Sequence, residues 1–265
     1  MVSRILYSLF CFSAMFLCSL SVSGQSMKKV EADINHCINR IDSWWEEEQK
    51  ENENEALDSL EEYNQMLSEK LVYYCTKYPS TIRYHFKSFD SDTSDMQILT
   101  SADTMMRIFN WNTRSGGTME FFKTVIAYKS GNTVKAYVRP DPQDEGDPDC
   151  FYQHLYTFKA NSKTYYIATY IGAYSTSGRY GGVKLFCIEN GKMNDTVHFI
   201  RTRTGMHNGV EYEYNQFLAD IDYDKYNAHF DAETSTIYIP IILGEKMTKR
   251  SIRYKFTGKY FEKEK

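Results

Sequence analysis

Residues 101–122 read SADTMMRIFNWNTRSGGTMEFF. The runs MMRIFNWN and MEFF are rich in aromatic and β-branched residues and flank Gly116 and Gly117, which predicts two antiparallel strands joined at a glycine turn. Working outward, the same pattern continues from Thr81 to the end of the chain. TIRYHFKSF, MQILTS, VKAYVR, QHLYTFKA, TYYIATYIGAY, VKLFCIE, TVHFIRTR, VEYEYN, TIYIPIIL, SIRYKFTG and KYFEK are further strand candidates. Tight-turn residues separate them. Asn190-Gly191 is the strongest signal, because a type I′ turn needs positive φ at both central residues. Gly131-Asn132, Asn161-Ser162, Asn208-Gly209 and Thr257-Gly258 are related. Short connections make neighbouring strands antiparallel, since parallel pairs need long crossovers.

The Ser-x-Asp start and Trp-Asn finish of the opening stretch also look like one blade of a β-propeller. A closed propeller needs at least four blades, about sixteen strands, and about thirteen are legible. Trp111 has no counterpart at one repeat's distance. The expected fold is mainly β with an N-terminal helical hairpin (α+β), the antiparallel meander forming a sandwich, an open barrel or an incomplete propeller-like stack.

The helical part lies before Pro79. Val30, Ile34, Ile38, Ile41 and Trp45 recur at helical spacing, as do Leu57, Leu60, Leu67, Leu71, Tyr74 and Tyr78. The polar EEEQKENENE lies between them. Asp58 and Glu61 form a capping-box pattern, so a second helix is expected from there, with the turn near residues 52–57. At the chain's start, Arg4 precedes an apolar run from Ile5 to Leu20, and Val22 and Gly24 occupy the −3 and −1 positions of a cleavage site. That order reads as a secretory signal peptide. The segments are therefore residues 1–24, signal peptide; 25–79, helical hairpin; 80–265, β domain. The expected location is periplasmic or extracellular, with no membrane span in the mature chain. A lipid anchor at Cys18 is the minor alternative.

Cys37, Cys75, Cys150 and Cys187 remain after removal of the leader. An even number of cysteines in an exported chain suits two disulfides, with three connectivities open. A helical hairpin turning slightly after residue 54 favours Cys37–Cys75 and leaves Cys150–Cys187. No two of these cysteines have zinc-ligand spacing, and no metal or other cofactor is expected.

The chain carries a net charge of −4 with no Lys/Arg cluster evident along it, which argues against a nucleic-acid partner. Familiar catalytic signatures are missing, and the six histidines are scattered. The acidic run DPQDEGDPD (141–149) offers oxygen ligands for calcium but reads better as a proline-stiffened loop. DIDYDKYNAHFD has Lys225 where an EF-hand needs glycine, and its alternation reads as a strand. The best binding candidate is GAYSTSGRYGG (172–182), a long loop holding Tyr174, Ser177, Arg179 and Tyr180, residues suited to adaptable recognition. Trp111 is the second candidate, weighed against a place at the core's edge.

The opening stretch, with FCIENGKM (186–193), STIYIPII (235–242) and IRYKFTGKYFE (252–262), resembles uncharacterised secreted β-rich proteins of gut Gram-negative bacteria. The resemblance covers most of residues 95–262. It implies export and a shared β-fold, and it assigns no role to any residue. The expected function is an exported binding or interaction protein of the cell envelope, its partner a glycan or another envelope protein. The alternative is a hydrolase of polysaccharide or cell-wall material using a carboxylate pair.

Overall fold

Strand MRIFNWN of the opening stretch is buried along almost its whole length, on both faces. Its alternation sends Phe109 and Trp111 to one side and Met106 and Ile108 to the other. A strand of this kind belongs to a sheet enclosed between two layers. The computed structural model, which describes residues 26–46, 53–90, 95–140, 147, 149–218 and 222–264, has that arrangement. The expected signal peptide lies outside the described residues. Among the described residues, no helix is long and apolar enough to cross a membrane.

Helices α1 (26–46) and α2 (Glu53–Lys77) form the first layer. Val30, Ile34, Ile38 and Ile41 of α1 and Leu60, Leu67 and Leu71 of α2 are buried in one core, which continues into the first sheet. That sheet has the order β1 (Met96–Thr100), β2 (Met106–Asn112), β3 (Phe122–Ser130), β4 (Thr133–Val138). The second has the order β11-β7-β6-β5, with β5 (Phe151–Ala160), β6 (Lys163–Ala173), β7 (Gly178–Glu189) and β11 (Gly209–Asn215); β8 (Lys192–Asn194) also pairs with β7. The third has the order β10-β9-β15-β14-β13-β12. Its strands are β9 (Ile200–Thr202), β10 (Gly205–His207), β12 (His229–Asp231), β13 (Thr236–Leu243), β14 (Lys246–Phe256) and β15 (Phe261–Lys263).

Met106, Ile108 and Ile126 of the first sheet meet Tyr152, Tyr166 and Phe186 of the second. Ile167, Val183 and Leu185 on the second sheet's far face meet Ile237, Ile239 and Phe261 of the third. The result is an open stack, one helical layer and three sheets. Among the described residues, strand pairing is antiparallel as expected, with one exception, the parallel pair β9–β15. The turn at Asn190-Gly191 has φ of 51° and 69°, the left-handed pair that the sequence requires.

Four expectations change. The glycine turn of the opening stretch is a longer loop, residues 113–121, closed by the Thr113 amide donating to the Phe121 carbonyl (2.9 Å). TIRYHFKSF is two 3-10 turns, Pro79–Ile82 and Lys87–Phe89, in place of a strand. Its backbone carbonyls are satisfied by a side chain: the buried Arg107 guanidinium donates to the carbonyls of Thr81 and Tyr84. Tyr223–Tyr226, read as strand, is a single helical turn, α3. Helix α2 starts at Glu53, ahead of Asp58.

The early start of α2 bears on the cysteines. Contacts between the helices set their register: His36 packs edge-on against Tyr63 (6.4 Å), and Asp33, one turn before Cys37, accepts from Lys70 (2.9 Å) and Tyr74, so Cys37 lies level with the middle of α2. Cys75 is in the last turn of α2, about 10 Å further along the axis at 1.5 Å per residue, whereas a disulfide needs Cα atoms within about 7 Å. Cys150 and Cys187 are separated differently: Cys150 packs between the first and second sheets, Cys187 between the second and third. All four are free, buried thiols, so the expected bridges are absent.

Two polar clusters join the helices to the first sheet. Trp111 Nε1 donates to Asn64 Oδ1 (2.8 Å), and Asn64 Nδ2 donates to the carbonyls of Leu60 (2.7 Å) and Thr113 (2.9 Å). Arg114, held at φ 60° in the 113–121 loop, bonds to Asp95, lies 3.6 Å from Asp42 of α1 and stacks on Trp45 (4.7 Å). Burial and the neighbouring Asp95 carboxylate push the Asp42 carboxyl up to about 7, against the pull of Arg114.

Alkylation of the denatured, unreduced protein is expected to label Cys37, Cys75, Cys150 and Cys187; protection of any pair would contradict the thiol assignment. The raised Asp42 carboxyl favours its protonated form, so its contribution to stability is full below the ordinary carboxylate range and is lost as pH rises through about 7. The Tm of the native chain is therefore expected to fall between mildly acid and mildly alkaline pH more steeply than that of Asp42→Asn. Parallel pH profiles for the two proteins would refute this coupling.

Candidate binding site

The first sheet lies chiefly over β5, through β1, β2 and β3. Beyond its edge, the same face of β7 and β11 is open, and a pocket of about 330 Å³ forms there. Strand alternation decides what lines it. On β7, Tyr180, Gly182 and Lys184 face the pocket side, while Val183 and Leu185 face the third sheet. Tyr170 comes from β6 and Glu211 from β11, and Arg139, Asp149 and Cys150 close the side nearest β4.

Small residues make room for the tyrosine rings. A Cβ on Gly182 would stand 2.6 Å from the Tyr170 hydroxyl and 2.6 Å from the Val210 carbonyl oxygen. A Cβ on Gly172 would stand 2.1 Å from the Tyr180 ring. Each tyrosine is then fixed at its polar end. Tyr170 donates to Glu211 Oε2 (3.0 Å), and Tyr180 donates to the Asp149 carbonyl.

Asp149 organises the pocket's floor. It holds φ 61°, an uncommon conformation for a non-glycine residue. Its carboxylate accepts from Arg139 and from the Cys150 amide (2.7 Å), and its own amide donates to Asp147 (2.9 Å). Burial raises the Asp149 carboxyl above its ordinary value, and Arg139 opposes that rise. Burial also pushes the Cys150 thiol up to about 12, so at neutral pH it is a packed thiol, 3.4 Å from Arg139, and no ready nucleophile.

Lys184 and Glu211 line the pocket from adjacent strands, where Gly209 pairs with Lys184 and Glu211 with Gly182. Burial lowers the Lys184 ammonium from its usual range, assisted by Arg139. Burial raises the Glu211 carboxyl, partly offset by the Tyr170 hydrogen bond. Lys184 approaches Asp195 at 3.8 Å, and Glu211 is bonded to Tyr170, so the two charges are directed to other partners. Together these groups offer donors, an acceptor and two aromatic rings to one opening.

Of the residues picked out in the sequence, four reach the pocket: Tyr180, Asp147 and Asp149 of the acidic run, and Cys150 of the expected disulfides. Tyr180 lines it, and Tyr174 stacks nearly parallel on Tyr180 from outside (6.2 Å, 21°), itself 39% exposed at the hairpin tip. Arg179 points away from Tyr180 by alternation, and its guanidinium turns back to the Ser175 carbonyl (2.6 Å). Ser177 is half-buried, its carbonyl accepting from the Gln216 amide (2.9 Å). Trp111 is fully buried against α2, far into the core rather than on a binding surface.

The 172–182 stretch is mostly strand: β6 runs to Ala173, β7 starts at Gly178, and Ala173 pairs with Arg179. The connecting loop is thus the short Tyr174–Ser177 segment, and the recognition loop expected there is much reduced. Arg139, Tyr170, Lys184 and Glu211 escaped the sequence reading. A signal existed for Lys184, a lone cation in the otherwise apolar GGVKLFCI. Of the acidic run 141–149, residues 141–146 and 148 lie outside the described residues. Among the described residues, no group of three or more His, Cys, Asp or Glu is placed to hold a metal ion. No known family model matches this chain, and neither a curated protein nor a solved structure does so.

Gly182→Val is expected to force Tyr170 off Glu211 and to cost about 1–3 kcal/mol in urea unfolding, the range for overpacking. An unchanged unfolding midpoint would show that the tyrosine packing is looser than described.

Proposed function

We propose that this chain is an exported binding protein of the cell envelope whose pocket takes a small, hydroxyl-rich polar ligand, such as a sugar unit of an envelope glycan. The observation that carries this reading is the placing of Lys184 and Glu211 on one pocket wall, beside Tyr170 and Tyr180, with neither charge neutralising the other. A sugar presents hydroxyls that both donate and accept, together with an apolar ring face. The ammonium, the carboxylate and the tyrosine rings match those features. Export rests on the leader-like first residues and on the resemblance to secreted proteins.

Titration against a panel of envelope oligosaccharides tests the reading. Lys184→Met and Glu211→Gln are each expected to weaken binding by about tenfold or more, the effect of losing one charged hydrogen bond. Affinities unaffected by both substitutions would refute the pocket as the site.

One observation favours the alternative of a hydrolase. The Glu211 carboxyl, though open to the pocket mouth, is raised by partial desolvation, and Asp147 lies close enough to contribute to that rise, a combination suited to a general acid beside a second carboxylate. Product release from a polysaccharide panel, abolished by Glu211→Gln with binding retained, would establish it. Binding without turnover would exclude it.

A further inference from the structure

The third sheet ends the stack, and its outer face is covered by no other layer among the described residues. Residues 246–264 carry seven Lys and Arg side chains against Glu262 and Glu264, within a chain of net charge −4. The fold adds to this excess. The parallel pairing of β15 with β9 sets Glu262 beside Arg201 and brings the Arg201–Thr204 segment next to Lys263. An open cleft of about 600 Å³ lies there, lined by Arg201, Arg203, Lys263 and Glu262 and by Thr202 and Thr204.

The groups in this cleft are partly pre-set. The Arg201 guanidinium donates to the Tyr260 hydroxyl (2.5 Å), lies over the same ring (5.5 Å) and approaches Glu262 at 3.7 Å. The Thr204 hydroxyl is 3.0 Å from that of Thr202 and 3.0 Å from His207 Nε2. Arg203 and Lys263 are exposed and have no ion pair among the described residues.

We infer that this cleft binds a carboxylate-bearing polysaccharide. Guanidinium groups take carboxylates through two parallel hydrogen bonds, and a group already held by Tyr260 loses little freedom in doing so. The threonine hydroxyls and Glu262 offer partners for sugar hydroxyls. Glu262 also sets the cleft against closely spaced phosphates, because a carboxylate among the cations repels a uniformly charged backbone. An acidic polysaccharide, with its carboxylates spaced one sugar apart, leaves hydroxyls to meet Glu262. The cleft is separated from the Tyr180 pocket by the core between the second and third sheets, so it is a second site, independent of the proposed function of the first.

The test measures binding of the whole protein to sodium polygalacturonate, with neutral dextran, duplex DNA and phosphatidylglycerol vesicles in parallel. The variants are Arg203→Glu with Lys263→Glu, the milder Arg203→Gln with Lys263→Gln, and, outside both sites, Lys159→Gln on the exposed side of β5. Polygalacturonate is expected to bind at low salt and to weaken steeply in high salt, because these charges are exposed. The Glu pair should lower affinity at least tenfold, the Gln pair less, and Lys159→Gln should leave it unchanged. Absent binding, equal binding of dextran, insensitivity to the Glu pair, or tighter binding of DNA or vesicles would each overturn the inference.

Discussion

The two-sided burial of β2 is the constraint from which the architecture follows. Phe109 and Trp111 on one side and Met106 and Ile108 on the other are all withdrawn from water, and each such side chain contributes about 2 kcal/mol when buried. A single sandwich would cover one side only. The helical hairpin must therefore cover one face of the first sheet and the second sheet must cover the other. The second sheet is in turn apolar on its far face and requires the third. Directional bonds fix this layering where apolar burial alone would allow sliding. Trp111 to Asn64 sets the height of α2 on β2, and Asn110, accepting the Tyr152 amide (2.5 Å), links the first sheet to the second.

The pocket is a consequence of unequal layer widths. The first sheet covers β5 and part of β6, and the polar groups of β7 and β11 begin where that cover ends. Glycines on these strands matter for the space they leave. Without Cβ atoms at Gly172 and Gly182, Tyr180 and Tyr170 lie flat along the sheet, and their hydroxyls reach Asp149 and Glu211. The charged groups then sit in partial burial that opposes their ionisation, Lys184 lowered and Glu211 raised. Such groups gain from a ligand that brings its own hydrogen-bonding partners.

The class of the fold was legible in the sequence because period and turn chemistry are local. The helical stripes of α1 and α2 and the Asn190-Gly191 turn appear where the pattern places them. What failed depended on distant contacts. TIRYHFKSF has strand composition, yet Arg107 of β2 supplies the hydrogen bonds that a neighbouring strand would have made. The disulfides were inferred from an even cysteine number, while the register of α1 on α2 and the alternation of β7 keep the thiols apart. Of the site, Tyr180 was recognised as a binding residue, Asp147 and Asp149 only as parts of an acidic loop and Cys150 only as a disulfide candidate, because Lys184, Glu211 and Arg139 meet only after β4, β7 and β11 are assembled. The basic cleft was half legible: the seven Lys and Arg of residues 246–264 stand in the sequence but were not read as a cluster, while Arg201 joins Lys263 only through the parallel β9–β15 pair.

The central claim is that the uncovered face of β7 and β11 is a ligand-binding surface. Amide chemical-shift mapping during titration with soluble envelope oligosaccharides tests it most directly. The account predicts shifts concentrated at Tyr180–Lys184 and Gly209–Glu211, with little change in the buried strand β2. Shifts that avoid these two segments while a ligand demonstrably binds would contradict it.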